Sequence, residues 1–240
     1  MAGDQKQDID PELLQACPQV GTVETEIVPN NFVYDLGKYS KTAIVSGDIN
    51  MDGANRAANT IVFRDSSDNR DVFLSIASGG GDPIAARSVI DAIDETPNQV
   101  VARITGQASS AAALIGVYAD VVFASQNARM VLHPPYVSRI DSNHVSLKDF
   151  REYAAFLEEG IEFSVEIYKA AHSSITEGCA RHFARDKTDV TLTAELALRV
   201  GFVDAVLLDY EWMRVRKGEA PKLNTGDNSA HQEVVPVASP

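Results

Sequence analysis

VVARITGQASSAAALIGVYAD, residues 100–120, decides how the rest of this chain is read. Its first five residues are a β-rich apolar run, and the alanine-rich stretch 110–118 is long enough for about two helical turns. Between them stand only small or polar residues, Gly106 to Ser109. A strand that passes through such a turn directly into a helix is half of a βαβ unit.

The same pattern recurs on both sides. Upstream, VFLSI at 72–76 leads through Ser78-Gly79-Gly80-Gly81 into a helix expected over 83–94, with Pro83 in its first turn and Ile84, Val89, Ile90 and Ile93 on one side. Further upstream, TAIV at 42–45 precedes a helical period over 54–64. Downstream, VVFA at 121–124, MVL at 130–132 and the run 203–207 read as further strands. Strands alternating with helices predict right-handed crossovers and a mostly parallel sheet, hence the α/β class. The longest helical signal covers residues 146–171, with Leu147, Phe150, Ala154, Leu157, Ile161 and Tyr168 at spacings of three, four or seven.

Composition bounds the function. A chain of 240 residues, 45% hydrophobic and 23% charged, holds one ordinary globular domain. Its expected limits are a flexible polar arm over 1–30, a domain over 31–216 and a disordered tail over 217–240. With 34 acidic against 21 basic residues the formal charge is −13, which disfavours nucleic acid and anionic membrane surfaces. The N-terminus lacks a basic and apolar signal sequence, and no apolar run approaches the ~18 residues of a membrane span, so a cytoplasmic location is expected. Cys17 and Cys179 stand far apart with no metal-ligand spacing, and they read as reduced thiols; neither a metal nor a cofactor is expected.

Two turns carry chemistry. Glycines 79–81 let the backbone adopt positive φ and aim N–H groups at a bound atom next to a helix N-terminus. A tight βα turn and half of an oxyanion hole are both consistent with them; a phosphate cradle is not favoured, since no GK[ST] follows. Ser109 and Ser110 either cap the next helix or present a nucleophile whose neighbouring N–H points into the same cleft. His133, closing NARMVLHPP at a strand end, is the candidate base, whereas His144, His172, His182 and His231 lie in polar or charged contexts that suit solvated side chains. Asp186 and Asp189, before a helix expected over 194–200, are candidate orienters.

In the order Ser, His, Asp the chain resembles the proteolytic subunit of the caseinolytic (Clp) protease, ClpP. The resemblance covers about residues 41–208 and rests on FLSIASGGG, GQASSAA, NARMVLHPP and TDVTLTAELALRVGFVD in that order. It implies a ClpP/crotonase-like superhelix of repeated βαβ units with a protruding handle, about 134–171, whose helix lets two heptameric rings face each other as a tetradecamer. It implies a serine endopeptidase acting on unfolded polypeptides within an oligomeric chamber, with an ATP-dependent unfoldase as candidate partner. Carried over by residue, Ser110 is the nucleophile, His133 the general base, Asp189 its orienter, and Gly81 and Ala111 the oxyanion donors. The chain departs from the family at Gly79, Ala111-Ala112 and Pro134, and its N-terminal arm does not resemble the family's axial-loop segment. The alternatives are a Ser–Lys protease of the signal-peptide-peptidase type using Lys148, an acyl-CoA hydratase of the same scaffold, and a catalytically silent ring-scaffolding subunit.

Overall fold

A computed structural model describes residues 10–21, 27–29, 39–63, 71–137, 146–186 and 189–208. In chain order the elements are α1 (Pro11–Ala16), β1 (Ile27–Pro29), β2 (Tyr39–Ile49), α2 (Met51–Val62), β3 (Asp71–Gly81), α3 (Pro83–Glu95), β4 (Val100–Ser109), α4 (Ala111–Tyr118), β5 (Val121–Ser125), β6 (Arg129–Leu132), α5 (Leu147–Ala171), α6 (Glu177–Arg181), β7 (Val190–Thr193), α7 (Ala194–Val200) and β8 (Ala205–Leu208). A 3-10 turn, Pro18–Gly21, follows α1, and a π-turn, His182–Asp186, follows α6.

The main sheet runs β1-β8-β5-β4-β3-β2, every pair parallel, as the alternating pattern predicts. β4 is shared between two sets of neighbours. Its first half pairs with β5, Val101 opposite Val121 through Ile104 opposite Ala124. At Gly106 the backbone takes φ +72°, a left-handed value that glycine adopts without a Cβ penalty. Beyond that bend Gln107–Ser109 pair with Arg129–Val131 of β6, and β6 in turn carries β7 as an antiparallel neighbour. The C-terminal ends of β3 and β4 and the whole of β6 and β7 thus form a small branch beside the main sheet.

α4 is buried from Ala111 to Val117, which explains its composition. A helix enclosed on every side packs against β3, α3 and α5 only if its residues are small. At Gly116 an added Cβ would already touch the Ile76 and Ile104 side chains at 3.4 Å.

α5 is built differently along its length. Ser146 and Asp149 form a reciprocal capping box: the Ser146 N–H donates to Asp149 Oδ2 (2.7 Å) and the Asp149 N–H donates to Ser146 Oγ (3.2 Å). The Ser146 hydroxyl also donates to Asp149 Oδ2 (2.7 Å), and this bond, with that from the Ser146 N–H, holds the Asp149 carboxyl below its ordinary pKa. Its fully buried residues, Ser164, Val165, Ile167 and Tyr168, all lie in the second half. There Tyr168 packs on Phe202 and Phe183, with ring centroids 5.1 and 6.3 Å apart. Contacts of this kind contribute about 0.5–1.5 kcal/mol each beyond area burial. In the first half Leu147, Phe150 and Phe156 stay exposed.

Three expectations are corrected. Residues 10–21, inside the stretch read as a flexible arm, form α1 and the 3-10 turn, and Leu13, Cys17 and Val20 belong to the core. The arm was read from polarity, but three buried side chains are enough to dock so short a segment. Cys17 and Cys179 are joined as a disulfide across 162 residues of sequence, a pairing that spacing alone cannot announce. His182 is buried edge-on against Phe183, not solvated. β1 and β7 were not anticipated from the sequence, being three and four residues long. The tail over 217–240 and the segment 138–145 of the anticipated handle lie outside the described residues.

Candidate active site

Ser110 joins β4 to α4 with φ 54° and ψ −126°; among the described residues it alone has positive φ without being glycine. Such a backbone costs of order 1–3 kcal/mol and persists only where neighbours over-determine it. Here the Ser110 N–H donates to the Val131 carbonyl of β6 (2.8 Å), and the Ser110 carbonyl accepts from Ala113 (2.9 Å) and Leu114 (3.2 Å). The side chain makes no capping bond, so Oγ is left for the cleft. Ser109 is the opposite case: it is buried, and its Oγ accepts a bond from Gln107 Nε2 at 2.5 Å. The two adjacent serines, indistinguishable by residue type, are separated by the elbow.

The glycine run presses against this elbow. Ser78, buried, donates from Oγ to the Gly47 carbonyl (2.6 Å) and accepts from the Gly80 N–H (3.0 Å), fixing the turn from below. At Gly80, φ +98°, a Cβ would lie 2.6 Å from the Ser109 carbonyl and 2.7 Å from Ser110 Cβ. At Gly81, φ +148°, it would strike the backbone of Ile49. Both positions therefore require glycine on steric grounds. Asp82 then caps α3, its Oδ1 accepting from the Ile84 N–H at 2.8 Å. α4 begins at Ala111, so the Ala111 N–H has no intrahelical acceptor.

These groups open onto a cleft of about 750 Å³ lined by Gly79, Gly80, Gly81, Ser110, Ala111 and His133. Ile84, Leu114, Tyr136, Phe156 and Phe163 add apolar wall, while Asp48, Arg87 and Glu159 add charge. Arg87 lies 4.3 Å from the centre of the Phe163 ring and 3.1 Å from Glu159, so α3 and α5 are bridged beside the cleft.

His133 follows β6 and is half-buried. Its Nδ1 lies 2.8 Å from the Pro134 carbonyl oxygen. A carbonyl oxygen can only accept, so Nδ1 is the donor, and in the neutral ring Nε2 then holds the lone pair that a general base needs. The ring also packs against Tyr136, with centroids 5.1 Å apart. Asp189 enters through strand register. The β6–β7 ladder ends with Leu132 opposite Val190, so His133 is the residue that follows it on one strand and Asp189 the residue that precedes it on the other. Asp189 is exposed, and among the described residues no hydrogen bond joins it to His133. Asp186 ends the π-turn, also exposed, and neither aspartate lines the cleft.

The other sequence candidates lie elsewhere. Lys148 is at the exposed start of α5, 3.5 Å from Glu152, and does not line the cleft. His172 is exposed beside Ser174, with 2.8 Å between Nδ1 and Oγ. His144 and His231 lie outside the described residues. Among the described residues no His, Cys, Asp or Glu group has the clustering of a metal site, and no helix is long and apolar enough to cross a membrane. Sequence reading missed the Ser78 brace and the Arg87–Glu159 bridge. The first had a signal, a serine heading a glycine run; the second pairs residues on separate helices and had none.

A serine elbow against a glycine turn, facing a histidine at a neighbouring strand end, is the arrangement found, and a family model described as Clp protease matches residues 32–209. The chain belongs to the Clp protease family. The matched span contains Ser110, His133 and Asp189 and leaves α1 and Cys17 outside it. A similar curated protein is the ATP-dependent Clp protease proteolytic subunit 2 of Leifsonia xyli subsp. xyli, 28% identical over 158 residues. That match covers 62% of this chain and 66% of the relative, so the chain spans just under two thirds of that Clp protease subunit's length.

Proposed function

We propose that this Clp protease family member is a serine endopeptidase in which Ser110 is the nucleophile, His133 the general base and Asp189 the group that stabilises the charged imidazole. The observation carrying this reading is the strained Ser110 backbone, which holds an uncapped hydroxyl in the same cleft as His133 and the Gly81 and Ala111 turn. Ser110 Oγ attacks the scissile carbonyl carbon as its proton passes to His133 Nε2. The carbonyl π electrons move onto oxygen, where the Gly81 and Ala111 N–H groups stabilise the negative charge. Collapse of this intermediate breaks the C–N bond, and His133 returns the proton to the departing amine. Water, deprotonated by His133, then releases the acyl group from Ser110.

We further infer a ClpP-like superhelical domain over about 31–216, with α5 as its handle helix. The exposed Leu147, Phe150 and Phe156 support a second subunit as the partner of the first half of that helix, as stacked rings would require. Unfolded polypeptide substrates, a heptameric or tetradecameric chamber and an ATP-dependent unfoldase follow the family resemblance and the relative's name. A cytoplasmic enzyme of this kind carries the Cys17–Cys179 disulfide as an exception, since such bonds are rare in reducing compartments.

A phosphonate probe tests the core of the reading. Labelling is expected at Ser110, with Ser110→Ala abolishing cleavage of small fluorogenic peptides and Ser109→Ala retaining most of it. Labelling at Ser109, or equal loss in both variants, overturns the assignment. No hydrolysis by a correctly assembled protein makes it a silent ring subunit.

A further inference from the structure

The two groups that meet in the cleft are supported unequally, and the support of His133 comes from an unexpected direction. After His133 the chain passes Pro134 and Pro135, and Pro135 lies against α5 at Gly160. A Cβ built on Gly160 would stand 3.1 Å from Pro135 Cγ and 3.2 Å from Pro135 Cβ. Both distances are tighter than ordinary van der Waals contact, so any side chain at 160 must push the proline ring back by a few tenths of an ångström. Gly160 sits in the middle of α5, where glycine costs roughly 1 kcal/mol relative to alanine. No positive φ calls for it, since the only left-handed glycines among the described residues are Gly47, Gly80, Gly81, Gly106 and Gly201.

The same turn of α5 is tied to α3. Glu159, the preceding residue, pairs with Arg87 of α3 at 3.1 Å, and Ser164 Oγ donates to the Gly160 carbonyl at 2.9 Å. α3 itself begins two residues after Gly81, with Asp82 as its N-cap. This turn is thereby referenced to the glycine turn beside Ser110. On the histidine side, Nδ1–H rests on the Pro134 carbonyl, the atom directly before the Pro135 ring. A shift of Pro135 therefore moves the acceptor that sets both the tautomer and the direction of the imidazole.

We propose that Gly160 is a positioning residue for His133: its missing side chain forms a seat for Pro135, and the seat sets the distance between the histidine and Ser110. This rests on His133 being the base. Gly160 touches no reacting atom, and its effect passes through Pro135 and the Pro134 carbonyl.

The experiment is a double-mutant cycle on the full chain, with His133→Ala measured in parallel on the same fluorogenic peptide. A displacement of 1 Å at a reacting group can cost about 10²-fold in rate, so a few tenths of an ångström in Gly160→Ala is expected to lower kcat about tenfold. Gly160 and Pro135 also line the cleft, so KM separates the two effects: it should stay within about twofold, and a rise in KM with kcat unchanged would mark a steric effect on substrate and overturn the seat. Pro135→Ala removes the ring that the new methyl group meets. In that background Gly160→Ala should lower kcat less than about twofold, a non-additivity expected only of residues that act through contact. Thermal unfolding of all variants separates folding from positioning. Additive losses in kcat, an unchanged kcat in Gly160→Ala, or a loss that tracks the fall in Tm and is not relieved by Pro135→Ala each overturn the seat. Should His133→Ala itself retain activity, the base assignment fails and the proposal falls with it. Loss in His133→Ala alongside an inert Gly160→Ala removes the seat alone.

Discussion

The serine corner and the histidine corner of the cleft are built on opposite principles. At the serine corner every neighbour is backbone or a small side chain: Gly80 lies against Ser110, Ser78 braces the glycine turn, and Val131 accepts the Ser110 N–H. These contacts hold the strained conformation in place. At the histidine corner the supports are a single carbonyl, one exposed tyrosine ring and the register of two four-residue strands. Asp189 and His133 flank the last pair of that ladder, yet the imidazole Nδ1–H donates to the Pro134 carbonyl. The lesson is that the attacking group is held by the fold itself, whereas its base is held by contacts that a small movement of α5 or β7 can change.

The largest expected effect comes from the weaker corner. Asp189→Asn should lower kcat by about 10⁴, as the corresponding change does where a carboxylate orients a catalytic histidine, and Asp186→Asn should change it little. Steady-state kinetics on one peptide substrate measures both. A fall of only about tenfold in Asp189→Asn would mean that the Pro134 carbonyl suffices to hold the tautomer, and that the histidine corner is as firmly held as the serine corner.

Gly80→Ala tests the stronger corner. A Cβ at 2.7 Å from Ser110 Cβ, on a backbone with φ +98°, has to displace the elbow. Loss of about 10²-fold or more in phosphonate labelling rate is expected, together with destabilisation of about 2–4 kcal/mol measured by denaturant unfolding. Normal labelling would show that the elbow is not held by steric exclusion.

The smallest effect on catalysis is expected at Cys17→Ser. Residues 10–21 lean on α7, with Gln19 Nε2 donating to the Val200 carbonyl (3.3 Å) and Arg199 Nε to the Val20 carbonyl (2.8 Å). α7 follows β7 directly, so the tether backs the histidine corner at one remove. Loss of the Cys17–Cys179 bond should reduce stability by about 2–4 kcal/mol and change kcat less than about threefold. Thermal unfolding and peptide hydrolysis on the same sample decide it; a kcat loss as large as that of Gly160→Ala would extend the dependence of His133 out to the disulfide.

The sequence by itself determined the alternation of strands and helices and the helix over 146–171; the stretches 78–81 and 106–109, expected as turns, are instead the bent ends of β3 and β4, because backbone pairing with β2 and β6 continues through them. The alternation and the long helix depend on residue type and short-range period: β-branched runs and an apolar stripe at helical spacing. The sequence also narrowed the candidates to Ser109 or Ser110, His133, and Asp186 or Asp189, among which the family resemblance prefers Ser110 and Asp189. Tertiary structure alone decided which of two adjacent serines keeps a free hydroxyl, because Gln107 holds Ser109 while the elbow frees Ser110. It alone joined Cys17 to Cys179 and buried His182, both set by packing between segments distant in the chain. It alone brought Gly160 against Pro135, a contact between helix and loop that leaves no trace in residue type, since a glycine within a helix looks the same whether or not another chain segment needs the space.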